Sequence, residues 1–114
     1  FGKQMVTDHS AVNKQATELM TELNVTPQDN LTSYSLQIEG EQNIAYLKTL
    51  SGAAFDRAYI DQEVTYHYRV HKAADEILIP SAQNAELKAL LVKARPVFVA
   101  HLEHAKQLRE ALDR

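Results

Sequence analysis

Met5, His9, Val12, Ala16, Leu19 and Leu23 follow one another at alternating steps of four and three residues, a spacing that an α-helix gathers onto one face and a strand scatters over both. The same rhythm recurs near the far end of the chain in Leu87, Leu91, Ala94, Phe98, His101, Ala105, Leu108 and Leu112. Between them, Ile60, Val64, His67, Ala74 and Leu78 form a stripe, with Phe55, Tyr59, Tyr66, Val70 and Ile77 as its neighbour. So wide an apolar face predicts deep burial. Helix breakers are scarce, with three Gly and three Pro in 114 residues, and strand patterning is nearly absent.

Turn-forming clusters divide the chain into four helices at about 2–24, 32–51, 53–79 and 83–112. The first ends at Asn24, Val25, Thr26, Pro27, Gln28, Asp29 and Asn30, because Pro27 disfavours helix in the residue before it. The second has the weakest pattern, in Leu36, Ala45, Tyr46, Leu47 and Leu50, with Gly40 as a soft point and Ser51 and Gly52 at its end. Pro80 and Ser81 close the third. Pro96 falls inside the fourth and predicts a local irregularity near Val92, whose carbonyl loses its amide partner. Four long helices with short connections predict one domain, 1–114, folded as an all-α antiparallel up-and-down bundle.

Twelve Lys and Arg are interspersed with fifteen Asp and Glu for a formal charge of −3, so no basic face exists to attract nucleic acid. The absence of cysteine excludes disulfides, thiolate metal sites and cysteine nucleophiles. No apolar run approaches the roughly 20 residues of a membrane-spanning helix. Phe1, Gly2 and Lys3 run straight into the first helical pattern without a capping residue, which predicts that an upstream segment, including any export signal, has been removed. Apolar surface left uncovered by a missing helix would promote self-association.

His9, His67 and His101 each replace an apolar residue within a stripe and so face the interior. Counting about 1.5 Å per residue from the shared end of the bundle places His67 roughly 18 Å, His9 roughly 22 Å and His101 roughly 28 Å deep. Converging imidazoles with a carboxylate nearby suit a divalent transition metal such as Zn, Fe or Cu. Asp56, three turns before His67 on the same face, and Asp8, beside His9, are the candidate carboxylates, as ligands or as acceptors for a ring N–H. Tyr59 is a candidate outer-sphere neighbour. His67 with His71, and His101 with His104, could each bring two rings to one side of a helix.

Each feature has a plainer reading beside it. A buried histidine often only hydrogen-bonds a neighbour and fixes packing. His71 and His104, at stripe edges, suit a solvated role. Tyr59, Tyr66 and Tyr68 suit a core with paired hydroxyls. Ser51 and Ser81 stand at helix ends, where Ser caps; neither they nor Ser10 belong to a G-x-S-x-G elbow, and no phosphate-cradling glycine loop occurs. Glu103, between His101 and His104, does not make the H-E-x-x-H protease motif. The E-x-x-H pairs of carboxylate di-iron bundles are also missing.

The segments FGKQMVTDHS, LSGAAFDRAYIDQEVTYH and HLEHAKQL resemble a bacterial family of unknown function, catalogued as predicted outer membrane proteins, over nearly the whole chain. The resemblance implies a ferritin-like helical bundle, a periplasmic or outer-membrane-associated location and one further helix before the MVTDH segment. Its recurring polar positions fall on Asp8, His9, Asp56, Tyr59, His67 and His101. Two functions follow as expectations: an exported protein binding a divalent metal through inward-facing histidines, or a non-catalytic envelope module that binds another copy of itself or a partner protein. No enzyme reaction is assigned.

Overall fold

A computed structural model describes residues 1–114, with four principal helices and no strand. Helix α1 spans Gly2–Glu22, α2 Leu31–Leu47, α3 Gly52–Ala73 and α4 Ala85–Asp113. The boundaries have local causes. Asn24 takes a left-handed φ of 54°, and around it the Val25 N–H reaches the Met20 carbonyl while the Asn24 N–H reaches that of Thr21, a Schellman closure of α1. Helix α2 opens on a reciprocal cap, in which Asn30 Oδ1 accepts the Ser33 N–H and Ser33 Oγ accepts the Asn30 N–H, both at 2.9 Å. Asn84 Oδ1 caps α4 through the Leu87 N–H at 2.9 Å. Gly40 causes no break, and Gly52, with φ 57°, turns the chain into α3 rather than closing α2.

Pro96 acts differently from expectation, whereas the helical run that begins with α3 does end at Pro80 and Ser81. Helix α4 is continuous through Pro96. The irregularity lies before Pro80, where α3 passes into a π-helical segment, Ala74–Leu78, and then one last turn, Ile79–Ser81. The ring of Pro80 would press on the carbonyl of Glu76 in a regular helix. Widening that turn, so that the Ile79 N–H bonds the Ala74 carbonyl five residues back, relieves the clash.

Helices α3 and α4 form the main interface, α1 lies on α4, and α2 meets only α3. Phe1 packs against Tyr59 and His104 and beside a core cluster of Ile60, Val64, Leu102 and Ala105. The starts of α1 and α3 and the end of α4 therefore share one pole, and α1 runs antiparallel to α4. The bundle is open. Its surface of 8290 Å² compares with roughly 6,300 Å² for a typical folded chain of this mass. The wide burial expected of α3 is not found: Ile60, Val64 and His67 are buried, Tyr59 and Val70 are half-buried, and Phe55, Tyr66, Tyr68 and Ile77 are exposed. Tyr66 and Tyr68 are thus not core residues. Helix α2 turns Leu36 toward α3 at an apolar cavity of about 560 Å³ lined also by Tyr66, Val70, Ile77 and Leu78, and its one buried residue is Leu47. Leu31, Tyr34 and Ile38 lie on its opposite face and are exposed. No helix is long and apolar enough to cross a membrane.

Candidate metal centre

The α1, α3 and α4 stripes each carry one imidazole to the same level. Ring centroids are 5.2 Å apart for His9 and His101, 5.6 Å for His67 and His101, and 5.7 Å for His9 and His67. One nitrogen of each ring lies within 4.8 Å of one nitrogen of the other two. The convergence follows from the true helix ends. Counted inward from Glu22, Ser81 and Ala85, the three histidines are about 20, 21 and 24 Å deep, much closer than the sequence boundaries suggested.

His67 and His101 are almost wholly enclosed, at 4% and 2% exposure, whereas His9 is half-buried. Phe98 stacks on His9 with centroids 5.3 Å apart and planes 11° from parallel. Phe1 meets the His67 ring edge-on at 6.5 Å. An apolar collar therefore surrounds the polar centre and keeps its local dielectric low.

Two ring tautomers are decided by their partners. His67 Nδ1 lies 2.9 Å from the Glu63 carbonyl oxygen and 3.3 Å from Glu63 Oε2. A carbonyl can only accept, so Nδ1 carries the hydrogen and neutral His67 has its lone pair on Nε2. His101 Nε2 donates to Asp8 Oδ2 at 2.7 Å, which leaves the His101 lone pair on Nδ1. His67 Nε2 and His101 Nδ1 are both buried with no hydrogen-bond partner. Buried polar atoms ordinarily have partners, so two unpaired acceptors beside a third imidazole make a pocket for a cation or a proton.

The protein's electrostatics divide the rings. Burial opposes the charging of His67, but the side-chain hydrogen bond, backbone bond and negative charge of Glu63 outweigh it and raise its pKa above the ordinary 6.5. Burial, and next the neighbouring charges of His101 and His67, hold His9 below 6.5 against the weaker pull of Glu63 and Asp8. Tyr59 is raised from 10.0, first by burial and then by the negative charge of Glu63.

Of the residues singled out in the sequence, His9, His67, His101 and Asp8 come together. Asp56 does not. It is exposed and outside the group of converging ligand atoms, and the eleven residues separating it from His67 amount to about 16 Å of helix. Its place is taken by Glu63, one turn before His67, a residue that the i, i+4 spacing alone could have nominated. Tyr59 stands a further turn away, in contact with Phe1. His71 faces Asp75 at 3.5 Å, and Asp75 in turn pairs with Arg95. The His104 ring packs on Phe1, so neither His71 nor His104 joins the cluster, and both are half-buried rather than solvated.

The sequence profile of the domain of unknown function DUF4142 matches residues 1–108. The chain belongs to this family. No curated protein and no solved structure matches the chain. The site of this DUF4142 domain can do three things chemically: accept a metal on three imidazole nitrogens, share a proton among them, or brace three helices against one another.

Proposed function

We propose that this DUF4142 domain binds one divalent transition metal through His9, His67 and His101, with Asp8 and Glu63 holding two of the rings in their metal-accepting tautomers. The observation that carries the reading is the pair of buried, unpaired lone pairs on His67 Nε2 and His101 Nδ1. Imidazoles on a tetrahedral ion about 2.05 Å away stand about 3.3 Å apart, so nitrogens already within 4.8 Å need to close by less than about 1 Å each. Carboxylates that accept the second ring N–H are the usual companions of metal-bound histidine. The donor set fits Zn, Cu or Fe; the ferritin-like di-iron alternative lacks its paired glutamates. The resemblance to predicted outer membrane proteins extends the reading to an exported protein of the bacterial envelope.

Equilibrating the pure protein with Zn, Cu or Fe and counting retained metal by native mass spectrometry tests the reading. One ion per chain is expected, lost in His67→Ala; no stoichiometric uptake overturns it. A second reading, an envelope interaction module, is favoured by the exposed Leu31, Tyr34 and Ile38 face of α2. It predicts association through that face, and a monomer at all concentrations on size exclusion counts against it.

A further inference from the structure

If the histidine cluster holds a metal, the donors around it also fix how many ligands the chain can supply. Both carboxylates near the cluster are already engaged, Asp8 in accepting the His101 Nε2–H and Glu63 in pairing with His67 Nδ1. A carboxylate bound at one ring nitrogen lies across the ring from an ion bound at the other, about 6 Å from it. Neither group can therefore ligate the ion while it orients its histidine. The three imidazoles form the only group of His, Asp and Glu side chains with ligand atoms gathered closely enough to hold an ion. Tyr59 lies about two turns before His67 and is held in the aromatic contact with Phe1.

The chain thus offers the ion three neutral nitrogens. Structural zinc sites close with a fourth protein ligand, whereas three-ligand sites keep a position for water or another small ligand. The neutral donors do not themselves offset the ion's double charge; the nearest negative groups are the Asp8 and Glu63 carboxylates, held across the rings from it. His9 is half-buried where the other two rings are enclosed, so its side of the cluster is the one nearest solvent. We infer, on the basis of the metal reading, that the centre is an open site, in which the metal keeps one exchangeable coordination position for water or for a small monoanion with an oxygen or nitrogen donor. A metal held there by the three imidazoles would lower the pKa of a water in the open position.

Cobalt(II) is the probe, because its visible bands are intense in tetrahedral sites and respond to the fourth ligand. The purified protein is titrated with cobalt(II), metal content is counted by mass spectrometry, and sodium azide or sodium acetate is then added. One equivalent of cobalt with tetrahedral bands that shift saturably with either anion supports the inference. The same bands unmoved by either anion overturn it while leaving the metal reading intact, since the fourth position would then be filled by the chain. Anion response that is missing in the native protein and gained in Tyr59→Phe would overturn it specifically by identifying Tyr59 as that ligand. No bound cobalt overturns both readings. Glu63→Gln is the folding-tolerant companion to His67→Ala: it should bind cobalt roughly 10- to 100-fold more weakly yet still show the anion-dependent shift at saturation.

Discussion

His101 and Asp8, 93 residues apart in the chain, share a hydrogen bond of 2.7 Å that ties α4 to α1 and sets the tautomer of the ring. The ring is 98% enclosed while a third of the carboxylate is exposed, on the wall of a surface groove that also includes Gln15 and Lys93. One end of the pair is dry and the other wet.

Replacing that carboxylate separates orientation from coordination. Asp8→Asn keeps an oxygen acceptor but removes the charge that makes the imidazole a better donor, so metal affinity should fall roughly 10- to 100-fold. Asp56→Asn, at an exposed position, should leave affinity unchanged. Competition titrations with a chelator of known affinity measure both, and equal effects would sink the assignment of Asp8.

The cluster should titrate in a definite order. His67, with its pKa raised above 6.5, contributes stability that is complete below 6.5 and lost as the pH rises through its elevated value. His9, with its pKa lowered, acts in the opposite sense: its contribution is present above 6.5 and lost as the pH falls through its depressed value. Ring proton shifts in nuclear magnetic resonance should show His67 deprotonating at higher pH than His9. In Glu63→Gln the His67 midpoint should drop, because burial then acts with less opposition.

Two isoleucines distinguish the core from the periphery. Ile60 is 3% exposed and Ile38 54%. Ile60→Ala should cost about 2–5 kcal/mol in urea unfolding, and Ile38→Ala within about 0.5 kcal/mol. A large loss at Ile38 would mean that this face is covered in solution.

Pro96 sits in an unbroken α4. Pro96→Ala restores an amide able to bond the Val92 carbonyl, and should raise stability by up to about 3 kcal/mol. A lower melting temperature in this variant would show instead that the neighbouring helices have adapted to the proline ring.

How far the sequence reached is clearest at the histidines. A step of four and three residues says which way a helix faces whatever it packs against, so the stripes of Met5 to Leu23 and Leu87 to Leu112 were enough for an all-helical bundle with His9, His67 and His101 turned inward. Depth along the axis depends on where each helix stops, and an error of a few residues moves a side chain by several Å. That uncertainty hid the common level of the three rings and favoured Asp56. Glu63 lies at the i, i+4 spacing that could have nominated it, but a glutamate beside a stripe is usually solvated, and the enclosure of the His67 ring is what makes it a partner. Burial was overestimated on α3 and α2, because an apolar face declares what a helix can bury, not whether another helix arrives to cover it, so Tyr66, Ile77 and Tyr46 remain exposed. The periodicity of the chain thus determined helix and facing, which are local properties of the backbone. The meeting of three imidazoles, the pairing of Asp8 with His101 and the open flank of the bundle were decided by contacts between residues far apart in sequence, which local spacing does not encode.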